Sequence, residues 1–252
     1  MKMKKISLSD INLREKEFHN KLQSNKKGRF ENIFYRALFK MFENFYDYIS
    51  NKAKNNIVLD YGCGIGSITE KIAKSQPQKI CGIDISDVSI DKAKKKSNEL
   101  DLNIDYFVDN CESTNFNNEV FDLVYGTGIL HHLELKVAAK EINRILKKNG
   151  EMVFLEPLGT NPLINLYRKI TPNSRSIDEH PFVEKDFVYL SSLFNSVKIN
   201  YYGFFTLVFF LFYKDPKNSW IYKISYKLDN FIFKFNFLKK LAWSVMIVAK
   251  KT

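Results

Sequence analysis

Apolar residues recur along the chain with two different periods, and the change from one to the other divides it. From about Asp10 to Ser50 the period is helical. Phe30, Ile33, Phe34, Leu38, Met41, Phe42, Phe45 and Ile49 fall at three- and four-residue spacing, which puts them on one helix face. Between Asn55 and Glu156 short β-branched runs take over, at Ile57–Leu59, Lys79–Ile83, Ile104–Val108, Phe121–Tyr125 and Met152–Leu155. Helical patterns at Thr69–Ser75, Val88–Leu100 and Leu135–Leu146 separate most of them. Such alternation predicts a parallel sheet with right-handed crossovers and helices on both faces. Asn149-Gly150 reads as the stop between the third helix and the strand near Glu151, and Pro157 as the end of that strand.

The stretch from Pro157 to about Pro181 is polar and turn-rich, which predicts surface loops. A helix over Glu184–Phe194 and a strand over Val197–Tyr202 follow, and Trp243–Ala249 reads as a buried closing strand. Residues Phe204–Lys240 stand apart, with about a third of the aromatic residues and few acids. Phe204–Tyr213 is almost wholly apolar yet too short to span a bilayer, and reads as an apolar hairpin. Trp220–Leu241 reads as an amphipathic helix. Ile221, Ile224, Leu228, Phe231, Ile232, Phe235 and Leu238 form one stripe, and Lys223, Lys227 and Lys234 mark another face. This combination suits an anionic membrane surface. The competing readings are a cap packed on the sheet and a homodimer face.

The formal charge of +11 favours acidic partners without choosing among them. Three cysteines, Cys63, Cys81 and Cys111, form no CxxC pair. That argues against a disulfide framework and a structural zinc site, and no metal-ligand set is read from the sequence. The basic start Met1-Lys2-Met3-Lys4-Lys5 lacks a following apolar stretch, so the expectation is a cytoplasmic protein, peripheral at a membrane if the aromatic segment attaches it.

Candidate chemistry begins at Asp60-Tyr61-Gly62-Cys63-Gly64-Ile65-Gly66, a strand end running through a glycine-rich turn into a helix. Glycines let a backbone bend sharply and approach a ligand closely. A second strand ends in Asp84, an acid placed to accept hydrogen bonds from ribose hydroxyls. The turn is spaced G-x-G-x-G and preceded by an acid. That disfavours a dinucleotide pyrophosphate and favours a ligand carrying an ammonium and a sulfonium.

From Asp60 to Glu156 the chain resembles the class I, Rossmann-like S-adenosylmethionine-dependent methyltransferases of the small-molecule branch. Ile129-Leu130-His131-His132-Leu133 and Arg144-Ile145-Leu146-Lys147 also look like that branch. The resemblance implies a doubly wound α/β domain with seven strands, the last antiparallel. It divides the chain into an N-terminal helical lid (1–54), a cofactor-binding core (55–156), substrate-side elements (157–203), the aromatic and basic cap (204–240) and the last strand (241–252). It assigns Asp60, Gly62, Cys63, Gly64, Gly66, Asp84, Ile85, Asn110, Cys111, Gly126 and Thr127 to S-adenosylmethionine. Asn110 stands where the family has an Asp toward the adenine amino group, and it supplies an amide oxygen without the charge.

Methyl transfer from an activated sulfonium needs alignment and dryness more than acid–base help. A base matters only where the acceptor must lose a proton. The candidates are His131 after the fourth strand, Glu156 at the end of the fifth, His180 in the following loop and His19 in the lid. Gly126-Thr127-Gly128-Ile129 lacks the proline and aromatic of DNA amino methyltransferases, so a flipped base is disfavoured. The acceptor expected is a small or lipid-like molecule, methylated at oxygen or nitrogen. An RNA methyltransferase and a non-catalytic cofactor-binding scaffold remain as alternatives.

Overall fold

The structure, a computed structural model, describes residues 8–24, 33–171, 176 and 178–252. Phe30 of the expected N-terminal stripe lies outside the described residues. The strands are β1 (Ile57–Tyr61), β2 (Lys79–Asp84), β3 (Asp105–Val108), β4 (Phe121–Thr127), β5 (Leu146–Pro157), β6 (Ser196–Tyr202) and β7 (Ser244–Lys250). They form one seven-stranded sheet in the order β3-β2-β1-β4-β5-β7-β6. β7 runs antiparallel to both of its neighbours, and the remaining pairs are parallel.

The helices are α1 (Asp10–Ser24), α2 (Phe39–Ala53), α3 (Ser67–Ala73), α4 (Asp87–Glu99), α5 (Leu135–Ile145), α6 (Pro162–Ile170), α7 (Glu184–Leu193), α8 (Phe205–Val208) and α9 (Trp220–Ile232). Strand residues alternate between two cores because successive side chains leave a strand on opposite faces. Val58, Tyr125, Val153 and Met246 meet Met41, Phe45 and Ile49 of α2. Leu59, Tyr61, Phe154 and Ile247 meet Ile142 and Ile145 of α5 and Leu190 of α7. Burial on both faces is what a largely parallel sheet requires, and it explains the unbroken apolar runs.

Four expectations need correction. The helical stretch from Asp10 to Ser50 divides into α1 and α2, and the described residues of the apolar stripe fall on α2 and on a 3-10 turn over Ile33–Leu38 before it, not on α1. Asn149-Gly150 does not stop α5, which ends at Ile145. Leu146 already pairs with Phe121 before the register shifts and Glu151 pairs with Leu123. Asn149, at φ 63°, turns the chain inside that bulge, and Lys147 anchors it on Asp122 at 2.8 Å. The turn-rich stretch contains α6. Asn161 caps it by accepting from the N–H groups of Leu163 and Ile164 at 2.9 and 3.1 Å, with Pro162 at its first position.

The fourth correction concerns the aromatic segment. The apolar hairpin is instead α8 followed by a 3-10 turn over Phe210–Phe212. The amphipathic helix ends at Ile232, and a second 3-10 turn covers Asn236–Leu241. α9 buries Tyr222, Ser225 and Asp229, while Ile224, Leu228, Phe231 and Phe235 of the expected stripe are exposed. Polar anchors set this orientation. Asp229 accepts from Phe205 N–H at 2.6 Å and from the Thr206 hydroxyl at 2.9 Å, with the N–H groups of Phe204 and Thr206 each at 3.3 Å. These are the donors that the start of α8 leaves without helical partners. The Tyr222 hydroxyl accepts from Lys40 N–H at 2.9 Å, tying α9 to α2.

Asp229→Ala would strand those buried donors. It should cost roughly 1–3 kcal/mol of stability, read from the urea unfolding midpoint. An unchanged midpoint would show that α9 is held by its apolar contacts alone.

Candidate active site

The strand order reverses beside β1, with β2 on one side and β4 on the other. The loops leaving β1 and β4 diverge there and open a crevice at the carboxyl edge of the sheet. Gly62, Gly64 and Gly66 take φ values of 74°, 53° and 77° in the loop after β1, a region that side chains disfavour. A Cβ on Gly66 would collide with the Tyr106 hydroxyl, and one on Gly62 would lie 2.6 Å from Ile129. At Gly64 a Cβ would meet nothing within 4 Å, so this glycine presents bare backbone to open space.

Two acids organise the loop. Asp84 ends β2, and its carboxylate accepts from Gly64 N–H at 2.9 Å and Ser86 N–H at 2.8 Å. Burial pushes its carboxyl up, against the N–H of Ser86 and the positive influence of His19. Asp60 is buried at the end of β1 and takes the Thr69 hydroxyl at 2.7 Å. Burial pushes Asp60 up to about 7, against the hydrogen bond from Thr69 and with repulsion from Asp84. The crevice wall therefore carries buried acid that a cation would stabilise.

Ile85 is half-buried after Asp84. Asn110 is buried after β3. Its amide oxygen accepts from Glu112 N–H at 2.9 Å, and its amide nitrogen donates to Asn12 of α1 at 3.2 Å. Cys111 is buried and its carbonyl accepts from the Tyr61 hydroxyl. Burial pushes the Cys63 and Cys111 thiols well up, which suits packing and not nucleophilic attack. Gly126 leaves no room for a Cβ, which would lie 2.6 Å from the Tyr61 carbonyl. Thr127 closes β4 beside Leu155.

The chain then turns at Leu130–His132, and Glu156 holds that turn. Glu156 is fully buried. Its Oε1 accepts from the N–H groups of Ile129 and Leu130 at 3.1 and 2.8 Å, and its Oε2 lies 2.7 Å from His131 Nδ1. A carboxylate only accepts, so His131 Nδ1 carries the proton and Nε2 is left as the basic nitrogen.

α1 lies across this edge. Asn12 donates to Glu112 at 3.1 Å, Lys16 pairs with Asp87 at 2.9 Å, and Asn20 accepts from Ser86. Glu15 Oε2 stands 3.0 Å from His132 Nδ1 and 3.5 Å from His19 Nε2. Arg14 grips Asp178 with two hydrogen bonds of 2.9 Å. His180 joins this cluster only through its backbone, donating to the His131 carbonyl at 2.7 Å, and its side chain is exposed. Sequence reasoning missed Asn12, Glu15 and His132 as site residues. The Glu15–His19 spacing of i and i+4 on a helix was the available signal.

Residues 58–150 match the family model described as a methyltransferase domain. Over these residues the chain is similar to a methyltransferase domain, and they lie in the seven-stranded sheet described above. Its fold matches a geranyl diphosphate C-methyltransferase of Streptomyces coelicolor, solved with Mg2+, geranyl diphosphate and S-adenosyl-L-homocysteine. The TM-score is 0.67 at 12% identity, over 97% of this chain and 99% of that one. It also matches magnesium protoporphyrin IX methyltransferase of Synechocystis, solved with bound S-adenosyl-L-homocysteine. There the TM-score is 0.64 at 13% identity, over 96% of this chain and 100% of the other. A ubiquinone biosynthesis O-methyltransferase of Coxiella burnetii is 30% identical over 102 residues, 40% of this chain and 43% of the relative. The chain spans about half the length, or less, of the curated relatives it matches.

Proposed function

We propose that this chain transfers a methyl group from S-adenosylmethionine to an oxygen or nitrogen of a small, lipid-like acceptor. The observation that carries the reading is the His131–Glu156 pair, 2.7 Å apart at the crevice that the glycine loop borders. The residues fit the cofactor. Gly64 offers bare backbone, Asp84 can accept from ribose hydroxyls, and Asp60 adds negative charge for a cationic ligand. Ile85, Asn110 and Cys111 are assigned to the adenine end, and Gly62, Cys63, Gly66, Gly126 and Thr127 shape the loop and the methionine end. The cofactor supplies a methyl group already activated on sulfur.

This chain's residues then do three things. α1 covers the crevice and keeps water out. Glu156 fixes the tautomer and direction of His131. His131 Nε2 takes the proton that the acceptor oxygen or nitrogen loses on methylation. Glu156 thus positions His131. His19 belongs to the lid, and the exposed His180 ring is not assigned a part. A lipid-like acceptor is supported by the ubiquinone-pathway O-methyltransferase and the geranyl diphosphate enzyme among the relatives.

The aromatic segment supports attachment to an anionic bilayer. Leu211 and Phe212 are 72% and 68% exposed, and Phe231 and Phe235 stand out from α9. Lys223, Lys227 and Lys234 are exposed on the same helix or its end. Phe34 ties this region to α6, touching the rings of Tyr167 and Phe210, and α6 in turn exposes Leu166 and Ile170. Apolar side chains flanked by lysines match the chemistry of an acidic lipid surface. Among the described residues no helix is long and apolar enough to cross a membrane.

Calorimetry should detect binding of S-adenosylmethionine, and Asp84→Ala should weaken it by roughly 1–3 kcal/mol. A cationic ligand favours ionised Asp60. Affinity should therefore fall as pH drops through about 7, and Asp60→Asn should flatten that profile. No binding by the parent chain would refute the function.

His131→Ala should slow turnover by roughly 10²–10⁴-fold with cofactor affinity kept. A loss under about tenfold would leave proximity alone as the mechanism. Cofactor binding without turnover on any lipid, metabolite or RNA substrate would identify a scaffold.

Vesicles of anionic phospholipid should carry the full chain upward in a flotation gradient, less so at high salt. Changing Lys223, Lys227 and Lys234 to Glu should remove roughly 1 kcal/mol of attraction for each residue near the surface. Protein left at the bottom at low salt would exclude the membrane. A concentration-dependent dimer in its place would assign the face to a second copy.

A further inference from the structure

The imidazole of His132 has no evident task in methyl transfer, yet it is buried among acids. Its Nδ1 stands 3.0 Å from Glu15 Oε2 and its Nε2 3.8 Å from Glu179 Oε1. The first contact is misaligned for a hydrogen bond and the second is too long. Glu15 Oε2 likewise has no hydrogen-bond partner. Only 4% of His132 and 5% of Glu15 are exposed. Polar atoms left unsatisfied at such depth are costly and call for an explanation.

We propose that Glu15, His19 and His132 bind one divalent transition-metal ion of the zinc type, with α1 supplying two ligands and the turn after β4 the third. One ligand atom from each residue lies within 4.8 Å of the other two. The measured separations are 3.0 Å from Glu15 to His132 and 3.5 Å from Glu15 to His19. A tetrahedral ion with bonds of about 2.0–2.1 Å holds its donors roughly 3.3 Å apart. The ion would therefore fit with small side-chain movements.

The surroundings suit a metal in three further ways. Ser176 donates its hydroxyl to Glu15 Oε1, which turns Oε2 toward the two imidazoles as an outer partner of a ligand does. Burial pushes the His132 imidazole down, toward the neutral form that coordinates, although Glu15 pulls the other way. Burial pushes Glu15 up, but His132, His19 and Ser176 together hold it well below the usual carboxylate range. Two imidazoles and one carboxylate select zinc, cobalt or nickel over magnesium and calcium, which take oxygen ligands. Three protein ligands leave a fourth position for water or an acceptor atom. The same bonds would clamp α1 over the crevice. The site depends on these three side chains and not on the methyl-transfer reading.

The test uses the full chain, free of any tag and stripped with chelator, titrated with Co2+. A visible ligand-field spectrum of tetrahedral intensity should saturate at a single equivalent and be displaced by Zn2+. His19→Ala carries the decision, because His19 sits half-buried on the lid and away from the sheet. It and Glu15→Gln should each weaken cobalt binding by at least about tenfold, while His180→Ala should leave it unchanged. Circular dichroism verifies that each variant is folded. No spectrum with the parent chain, or undiminished affinity in folded His19→Ala, would overturn the site. S-adenosylmethionine binding measured in chelator separates the two proposals. Its persistence without cobalt binding refutes the metal alone, and its loss with cobalt binding intact refutes the function alone.

Discussion

A buried carboxylate must be matched by donors on every side, and Glu156 imposes that requirement on the middle of the molecule. One oxygen gathers the N–H groups of Ile129 and Leu130, the other meets His131, and its own backbone carbonyl takes the Ser244 hydroxyl at 2.7 Å. The chain leaving β4 has little freedom once these bonds form. The rings of His131 and His132 lie against each other, centroids 4.1 Å apart, with Nδ1 of the first at Glu156 and Nδ1 of the second at Glu15. α1 meets His132 through Glu15, and the 178–181 loop docks through His180 N–H on the His131 carbonyl. Three segments far apart in sequence are thus located by one acid.

Charge is divided across the molecule in a way the total conceals. The crevice collects the buried acids Asp60, Glu15 and Glu156 and the half-buried Asp84. The excess of lysine that makes the chain +11 lies elsewhere, much of it on outward helix faces such as that of α9. Net charge therefore reports on what the outer surface meets, and the sign of the interior reports on what the crevice holds. The two readings are independent, and a basic chain with an acidic cleft contains no contradiction.

Local pattern made the sheet legible. Each strand run and the glycine turn carry their own chemistry within a few residues, and the expected strand positions are observed. α6 went unread although Asn161-Pro162 is a sound helix start, because the polar residues around it weighed more than the cap. Which side of α9 packs inward was left open by the sequence. Its stripe of Ile, Leu and Phe is the stronger sequence signal, but Asp229 and Tyr222 answer donors on α8 and α2 that no local pattern reveals. The same holds at the crevice. Asp84 and the glycines are visible in the sequence, whereas Glu15 and His132 meet only because the turn and α1 are brought together.

The placement of β7 bears on the order of folding. It is the last strand of the chain, yet it lies inside the sheet between β5 and β6. Until Ser244–Lys250 arrive, β5 and β6 have no bond to each other, and each presents an unpaired strand edge. Edges of that kind recruit other chains. The aromatic segment, with its exposed rings, is made just before the strand that closes the gap. Closure by β7 joins residues distant in sequence, a step that is slow for entropic reasons. Pairing of β7 with both neighbours is then the step that hides those edges.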